Sequence, residues 1–537
     1  MASLPTTPRW QRALSVLRPS HSHTAFTATL LLMSSAIASR LIGLVKTKYI
    51  AYLLGRSAAA DAFNAAFQLP DMIAYFLVGG AASITFVSML TRYRDAGREA
   101  EGERAMSVIL TTMTLVLGSA IVLAEFAAPW YVRLLLRGFE NDPAKAALCA
   151  HLTRILLPAQ LFFLAGGVFA AVLLVRKRFA VQAITPLVYN CGIIFGGVLL
   201  YRFWGSTSLA VGAVAGAFFG PFLLNAIWSR RAGMRYRPIL EWSNPGLHEW
   251  IRMSIPLMLG VSLVTADNWI INYFASQTNG DVSLLTYSKQ LFTAPVAMGQ
   301  AAGAASLPFF ASLYGKVDRI PFTNAVNESV SRIVAFSILL TSFMVAMAMP
   351  AIDVTLRGGA FHRSDTVTMT LYFAIFSISL FLWSAQAIYA RAFYAAGNTL
   401  TPMVAGTIVT AVSIPIYAGF YYSVGAAGLA IASDIGILLQ TATLAILLHR
   451  RRTVSLAGVD YRELLRCVIA SAISYAALVA LRHFAAETTS RLYELGLLSV
   501  AALIWIAISA LVLQVTGSKT MGQLISLFAR SKVQRGT

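Results

Sequence analysis

Residues 29–93 read TLLLMSSAIASRLIGLVKTKYIAYLLGRSAAADAFNAAFQLPDMIAYFLVGGAASITFVSMLTRY and contain two long apolar runs. The first run carries Arg40 and Lys46 where a lipid-facing helix would be apolar. A charged side chain at mid-bilayer costs on the order of 3 kcal/mol by insertion scales, so it usually faces a cavity or a partner. The second run is punctuated by Pro70 and by Gly79-Gly80, which kink helices. A kinked helix beside a cationic helix predicts a polar pathway for an anionic substrate.

The composition of the whole chain indicates a membrane protein. Hydrophobic residues make up 58% of the 537 positions, and charged residues only 12%, whereas soluble domains carry about 25% charged residues. The net charge of +20 is spread over short basic clusters between apolar runs, which is a topology signal and not a nucleic-acid-binding face. The three cysteines are isolated and match neither a disulfide framework nor a zinc site.

Motifs of enzymes and of nucleotide-binding domains are absent from the sequence. The chain is therefore predicted not to be an enzyme, and no cofactor is expected. Because no soluble stretch is long enough for an ATP-binding domain, the energy for transport is expected from the membrane potential, from a monovalent ion or from the substrate itself.

A bilayer core of about 30 Å requires roughly 20 apolar residues per helix. The sequence predicts an all-α membrane protein with about fourteen transmembrane helices. The predicted runs are 25–54, 58–91, 105–136, 146–175, 180–202, 207–229, 247–274, 281–313, 323–351, 366–396, 400–423, 425–449, 461–482 and 492–516.

Basic residues accumulate in alternate connectors, notably 92–104, 230–237 and 450–452. This bias predicts that these connectors and both termini are cytoplasmic. The predicted parts are a basic tail (1–24), an N-terminal six-helix lobe (25–230), a C-terminal six-helix lobe (231–452), two additional helices (453–517) and a second cytoplasmic tail (518–537).

Two short matches indicate an internal repeat. The sequence GAASITF at 80–86 resembles GAASLPF at 303–309, and Thr185-Pro186 resembles Thr401-Pro402. Both matches are separated by about six helices, which predicts two lobes in a pseudo-twofold arrangement about the membrane normal. In such transporters the substrate site lies between the lobes near the midplane.

Motifs spread along residues 29–450 together resemble the MurJ (MviN) family of lipid II flippases, within the multidrug/oligosaccharidyl-lipid/polysaccharide exporter superfamily. They include Ser39-Arg40-Leu41-Ile42-Gly43, Asp61-Ala62-Phe63, Phe67-Gln68-Leu69-Pro70, Ala127-Ala128-Pro129-Trp130, Gly260-Val261-Ser262 and Leu307-Pro308. The resemblance implies a V-shaped fourteen-helix protein with a central cationic cavity in the bacterial inner membrane. Its implied activity, in cell-wall biosynthesis, is to move the undecaprenyl-diphosphate-linked peptidoglycan precursor from the inner to the outer leaflet by alternating access. Membrane lipids and other cell-wall synthesis proteins are the implied partners.

The resemblance also implies roles for individual residues. Arg40 matches a cavity arginine of the family, and Lys46 stands where the family usually has a second arginine. Asp61 matches the acid at the start of the second helix, and Ser283 matches a polar cavity position on the eighth.

Four further positions depart from the family pattern. Ala74 stands where a cavity arginine is usual, Lys289-Gln290 where Asp-Arg is usual, and Thr47 where an acid is usual. Lysine lacks the planar fork with which arginine binds a diphosphate. Two alternatives therefore stay open: a flippase for another polyprenyl-linked saccharide, and a cation-coupled small-molecule exporter.

The predicted site residues fall into two groups, each with a structural alternative. The substrate-binding candidates are Arg40, Lys46, Asp61, Ser283, Lys289 and Gln290. The gating or coupling candidates are Pro70, Gly79, Gly80 and Asp267. The structural alternatives are that Arg40 pairs with helix carbonyls, that Lys46 reaches the interface and that Asp61 only caps a helix start. For Ser283, Gln290 and Asp267 the alternative is ordinary hydrogen bonding. For Pro70, Gly79 and Gly80 it is helix packing.

Overall fold

The structure is a computed structural model that describes residues 25–176, 178, 180–315, 318–485 and 490–518. Within these ranges it gives the backbone alone for residues 25–37, 78–85, 88, 256, 257 and 259. The predicted N-terminal tail and all of the predicted C-terminal tail except Ser518 lie outside the described residues. The chain forms two compact units, one of residues 25–49 and 58–259 and the other of residues 50–57 and 260–518.

The first unit contains most of the first helix and ten further helices. Helix α1 (Ala25–Leu54) belongs to this unit as far as Tyr49. The further helices are α2 (Ala58–Ala66), α3 (Gln68–Ile73), α4 (Gly79–Asp95), α5 (Glu99–Leu135), α6 (Pro143–Leu156), α7 (Ala159–Val175), α8 (Ala180–Trp204), α9 (Thr207–Ala217), α10 (Asn225–Arg231) and α11 (Pro245–Leu259). Two π-helical segments, Ala74–Val78 and Phe218–Leu224, join α3 to α4 and α9 to α10.

The second unit contains the end of α1 and ten further helices. They are α12 (Leu263–Ala275), α13 (Asp281–Tyr314), α14 (Ile320–Ala346), α15 (Ala348–Thr355), α16 (Arg363–Ile378), α17 (Leu380–Ala395), α18 (Leu400–Val424), α19 (Ala426–Arg450), α20 (Tyr461–Phe484) and α21 (Arg491–Val515). The segment 50–57 is held in this unit by Arg56, whose guanidinium lies 3.2 Å from the carboxylate of Asp281 at the start of α13.

Each predicted apolar run coincides with one helix or with a series of broken helices. Among the described residues, ten helices or continuous helix pairs are long and apolar enough to cross a membrane, and the pair α16–α17, bent by 40°, makes an eleventh. The prediction of an all-α membrane fold is confirmed. The number of fourteen transmembrane helices and the predicted lobe boundaries stay predictions.

Close packing of small residues joins α8 to α9 in the first unit. A Cβ atom added at Gly192 would lie 2.5 Å from the Cα of Gly216, and one at Gly196 would lie 2.5 Å from the Cα of Gly212. Glycines spaced four residues apart let two membrane helices approach backbone to backbone. The two helices therefore pack backbone to backbone in the first unit, and α8 carries Tyr189.

Candidate functional site

Two predicted cations lie on α1 in the first unit. Arg40 is exposed, and Lys46 is half-buried. Neither side chain makes a hydrogen bond or ion pair with the described residues. The rise of an α-helix places the two residues about 9 Å apart along the axis. Both positive charges are therefore available to an anionic ligand in this part of the chain.

Asp61 is fully buried in α2 and is paired with a lysine from another helix. Its carboxylate oxygen lies 2.8 Å from the ammonium nitrogen of Lys145 on α6, and both side chains are at most 2% exposed. The ammonium group also lies 4.2 Å from the centre of the Phe139 ring. A buried charge is stable only when it is paired and hydrogen-bonded. Asp61 thus joins α2 to α6, and a contact with substrate stays a prediction.

The second predicted helix is irregular where its proline and glycines lie. Phe67 separates α2 from α3, Pro70 is buried within α3, and the π-helical segment that begins at Ala74 ends where Gly79 starts α4. Gly80 lies in the first turn of α4. π-Helical segments occur frequently at functional sites. The structure thus places a helix break beside these residues, and their role in gating stays a prediction.

A polar cluster in the second unit surrounds Asp267 on α12. Its carboxylate accepts hydrogen bonds from the ammonium group of Lys289 on α13, from the hydroxyl of Tyr417 on α18 and, at 3.0 Å, from the hydroxyl of Ser433 on α19. Lys289 also donates to the side-chain oxygen of Asn268 at 2.6 Å. The structure thus pairs Lys289, a predicted substrate-binding residue, with Asp267, a predicted coupling residue. Because Asp267 balances the charge of Lys289, this lysine is a weaker candidate for binding an anion than Arg40.

The other predicted residues of α13 have less distinctive surroundings. Ser283 is fully buried and donates a hydrogen bond to the carbonyl of Gly280 at 3.0 Å. Gln290 is half-buried, and its neighbour Lys289 points about 100° away from it around the helix. A role of either polar residue in substrate binding stays a prediction.

Sequence reasoning missed the partners of the buried charges. Lys145 lies close to the end of a connector in the sequence, and nothing there signals a buried pair with Asp61, 84 positions earlier. In the sequence, Tyr417 and Ser433 are polar residues within apolar helices, and nothing nearby indicates that both donate to Asp267. Such pairs arise from the packing of distant helices, so no local pattern indicates them.

Long apolar helices that carry charged side chains define a multi-pass membrane protein. The family model described as "Lipid II flippase MurJ" matches residues 50–502. The chain belongs to the lipid II flippase MurJ family.

Relatives support this assignment over most of their length. The chain is 27% identical to the probable lipid II flippase MurJ of Vibrio cholerae serotype O1, over 84% of this chain and 88% of that protein. It is also 27% identical to the probable lipid II flippase MurJ of Rhizobium meliloti, over 88% and 91% of the two chains.

Solved structures share the fold. A lipid II flippase MurJ in an inward closed conformation matches with a TM-score of 0.76 at 19% identity, over 90% of this chain and 99% of that one. An inward-facing multidrug resistance MATE family transporter of the MOP superfamily matches with a TM-score of 0.63 at 15% identity. The match covers 80% of this chain and 99% of that one. The predicted family is therefore confirmed, and the fold is shared with a transporter of the MOP superfamily.

Proposed function

We propose that this protein moves lipid II from the inner to the outer leaflet of the bacterial cytoplasmic membrane by alternating access. The observation that carries the proposal is the family match, which extends over residues 50–502. The alternative substrates suggested by Ala74 and Gln290 are not favoured by a match of this extent. Other cell-wall synthesis proteins are proposed partners, and the membrane potential or a monovalent ion is the proposed energy source.

The cations of α1 support an anionic substrate. An arginine presents five N–H donors and stays charged at all relevant pH values. Its planar fork binds two oxygens of a phosphate group at once. The exposed Arg40 is therefore proposed to contact the diphosphate of lipid II, with Lys46 as a second, less directional cation.

Complementation tests the substrate. A bacterial strain depleted of its own lipid II flippase is expected to regain growth when it expresses this protein, and lipid II should become accessible to external probes. The protein must be detected in the membrane fraction at the level of a working flippase. Normal expression without rescue and without exposed lipid II would reject lipid II as the substrate.

The orientation of the chain is a second expectation. We propose that both termini and the connector containing Arg98 are cytoplasmic, because basic residues accumulate in that set of connectors. A single cysteine at position 98 should react with a membrane-impermeant reagent only after the cells are lysed. A cysteine at Glu487, which lies outside the described residues, should react in intact cells. The reverse labelling pattern would overturn the orientation.

A further inference from the structure

A cavity of about 360 Å³ lies within the first unit, beside the irregular part of the second predicted helix. Its lining is mostly apolar and includes Phe67 and Phe163, but three polar side chains reach it: Asp71 from α3, Gln160 from α7 and Tyr189 from α8. A cavity of this volume holds several water molecules, since one water needs only about 10–15 Å³ of such space.

The three polar side chains of the cavity lack hydrogen-bond partners within the described part of the chain. No side-chain hydrogen bond or ion pair of Asp71, Gln160 or Tyr189 is formed with the described residues. Asp71 is accessible to solvent, and Gln160 is buried. Polar groups inside proteins are normally hydrogen-bonded. The buried, unpaired amide of Gln160, together with Asp71 and the half-buried Tyr189 beside it, therefore indicates that the cavity holds water or a ligand.

The lack of a hydrogen-bond or ion-pair partner distinguishes Asp71 from the buried acids of the described chain. Each of those acids lies against a protein partner. These partners are Lys145 for Asp61, Lys289 for Asp267, Arg56 for Asp281, Arg357 for Asp353, the backbone of His362 for Asp365, Arg466 for Glu463 and Asp353 for Glu494. The predicted coupling residue Asp267 is thus already neutralised by a lysine. Asp71 lines a cavity and forms no ion pair with the described residues, so its carboxylate oxygens can reach an ion from solution.

We propose that this cavity is a binding site for a small monovalent metal cation, Na⁺ or K⁺, with the Asp71 carboxylate as its main ligand. The side-chain carbonyl of Gln160 and the hydroxyl of Tyr189 supply further oxygens, which hard cations prefer. One carboxylate balances one positive charge, which favours a monovalent over a divalent ion. Ala74 lines the cavity and begins the π-helical segment, so the ion binds next to the helix break. The proposal concerns ion binding and holds whatever lipid the protein moves.

Thermal unfolding of the purified full chain in detergent tests the site. At matched ionic strength, NaCl or KCl is expected to raise the unfolding midpoint by roughly 2–3 °C over choline chloride, and the rise should saturate with concentration. Asp71→Asn should remove this dependence. The control Glu125→Gln changes a half-buried acid on α5 that does not line this cavity, and should keep the dependence.

Direct binding keeps the test decisive if Asp71→Asn does not fold. The wild-type protein should bind radioactive ²²Na⁺, and unlabelled NaCl or KCl should displace it, whereas choline chloride should not. Gln160→Ala, which keeps the acid, should weaken this binding severalfold. Absence of saturable ²²Na⁺ binding and of a salt-specific midpoint shift, or equal shifts in wild type and Asp71→Asn, would overturn the proposal.

Discussion

Arg40→Ala is expected to reduce lipid II transport on the order of 10- to 100-fold while the protein still folds and inserts. Hydrogen bonds to charged groups contribute about 1.5–3 kcal/mol, and each 1.4 kcal/mol corresponds to a tenfold change. Arg40 is exposed and forms no hydrogen bond or ion pair with the described residues, so its removal leaves no buried partner unsatisfied. The measurement is lipid II exposure at the outer leaflet, normalised to the amount of protein in the membrane.

Two further variants separate charge from geometry at this position. Arg40→Lys keeps the charge but loses the planar fork, so partial transport is expected. Lys46→Arg adds a fork where the family usually has one, so transport should be unchanged or improved. Arg98→Ala serves as the control, since Arg98 is an exposed connector arginine paired with Glu101. Normal transport by Arg40→Ala would show that Arg40 does not bind the substrate.

The positions of the helices were predictable because the bilayer imposes a length and a composition on each of them. Helix α1 begins and ends where its apolar run does, and α18 and α19 differ from their runs by a residue. The breaks within the runs were only partly predictable. Pro70 and Gly79 indicated an irregular second helix, but the π-helical segment at Phe218–Leu224 depends on how its neighbours pack.

The candidate site was less predictable than the fold. Residues on one helix, such as Arg40 and Lys46, were recognised because a charge within an apolar run is conspicuous. Whether each charged side chain is paired or unpaired depends on residues far away in the sequence. Asp267 and Asp71 look alike in an apolar run, yet one is neutralised by Lys289 and the other faces a cavity. Only the packing of the helices distinguishes them.

The pair of Asp61 and Lys145 gives the largest expected effect on stability. Lys145→Met leaves the carboxylate of Asp61 buried at 0% exposure without its counter-charge. Removing one partner of a buried ion pair typically costs about 3–5 kcal/mol. We therefore expect a lower unfolding midpoint of the purified protein and less protein in the membrane. Arg98→Met, which breaks an exposed pair with Glu101, should change both quantities little.

The double variant Asp61→Asn/Lys145→Met decides what the pair does. Because it removes both charges, it should recover much of the stability lost in Lys145→Met, as buried pairs can often be replaced at little cost. If Asp61 only joins α2 to α6, lipid II transport should recover together with stability. If the double variant is stable and present in the membrane but does not transport, Asp61 also acts on the substrate, as the family resemblance implies. A double variant as unstable as Lys145→Met would contradict the assignment of the lost stability to the unpaired charge.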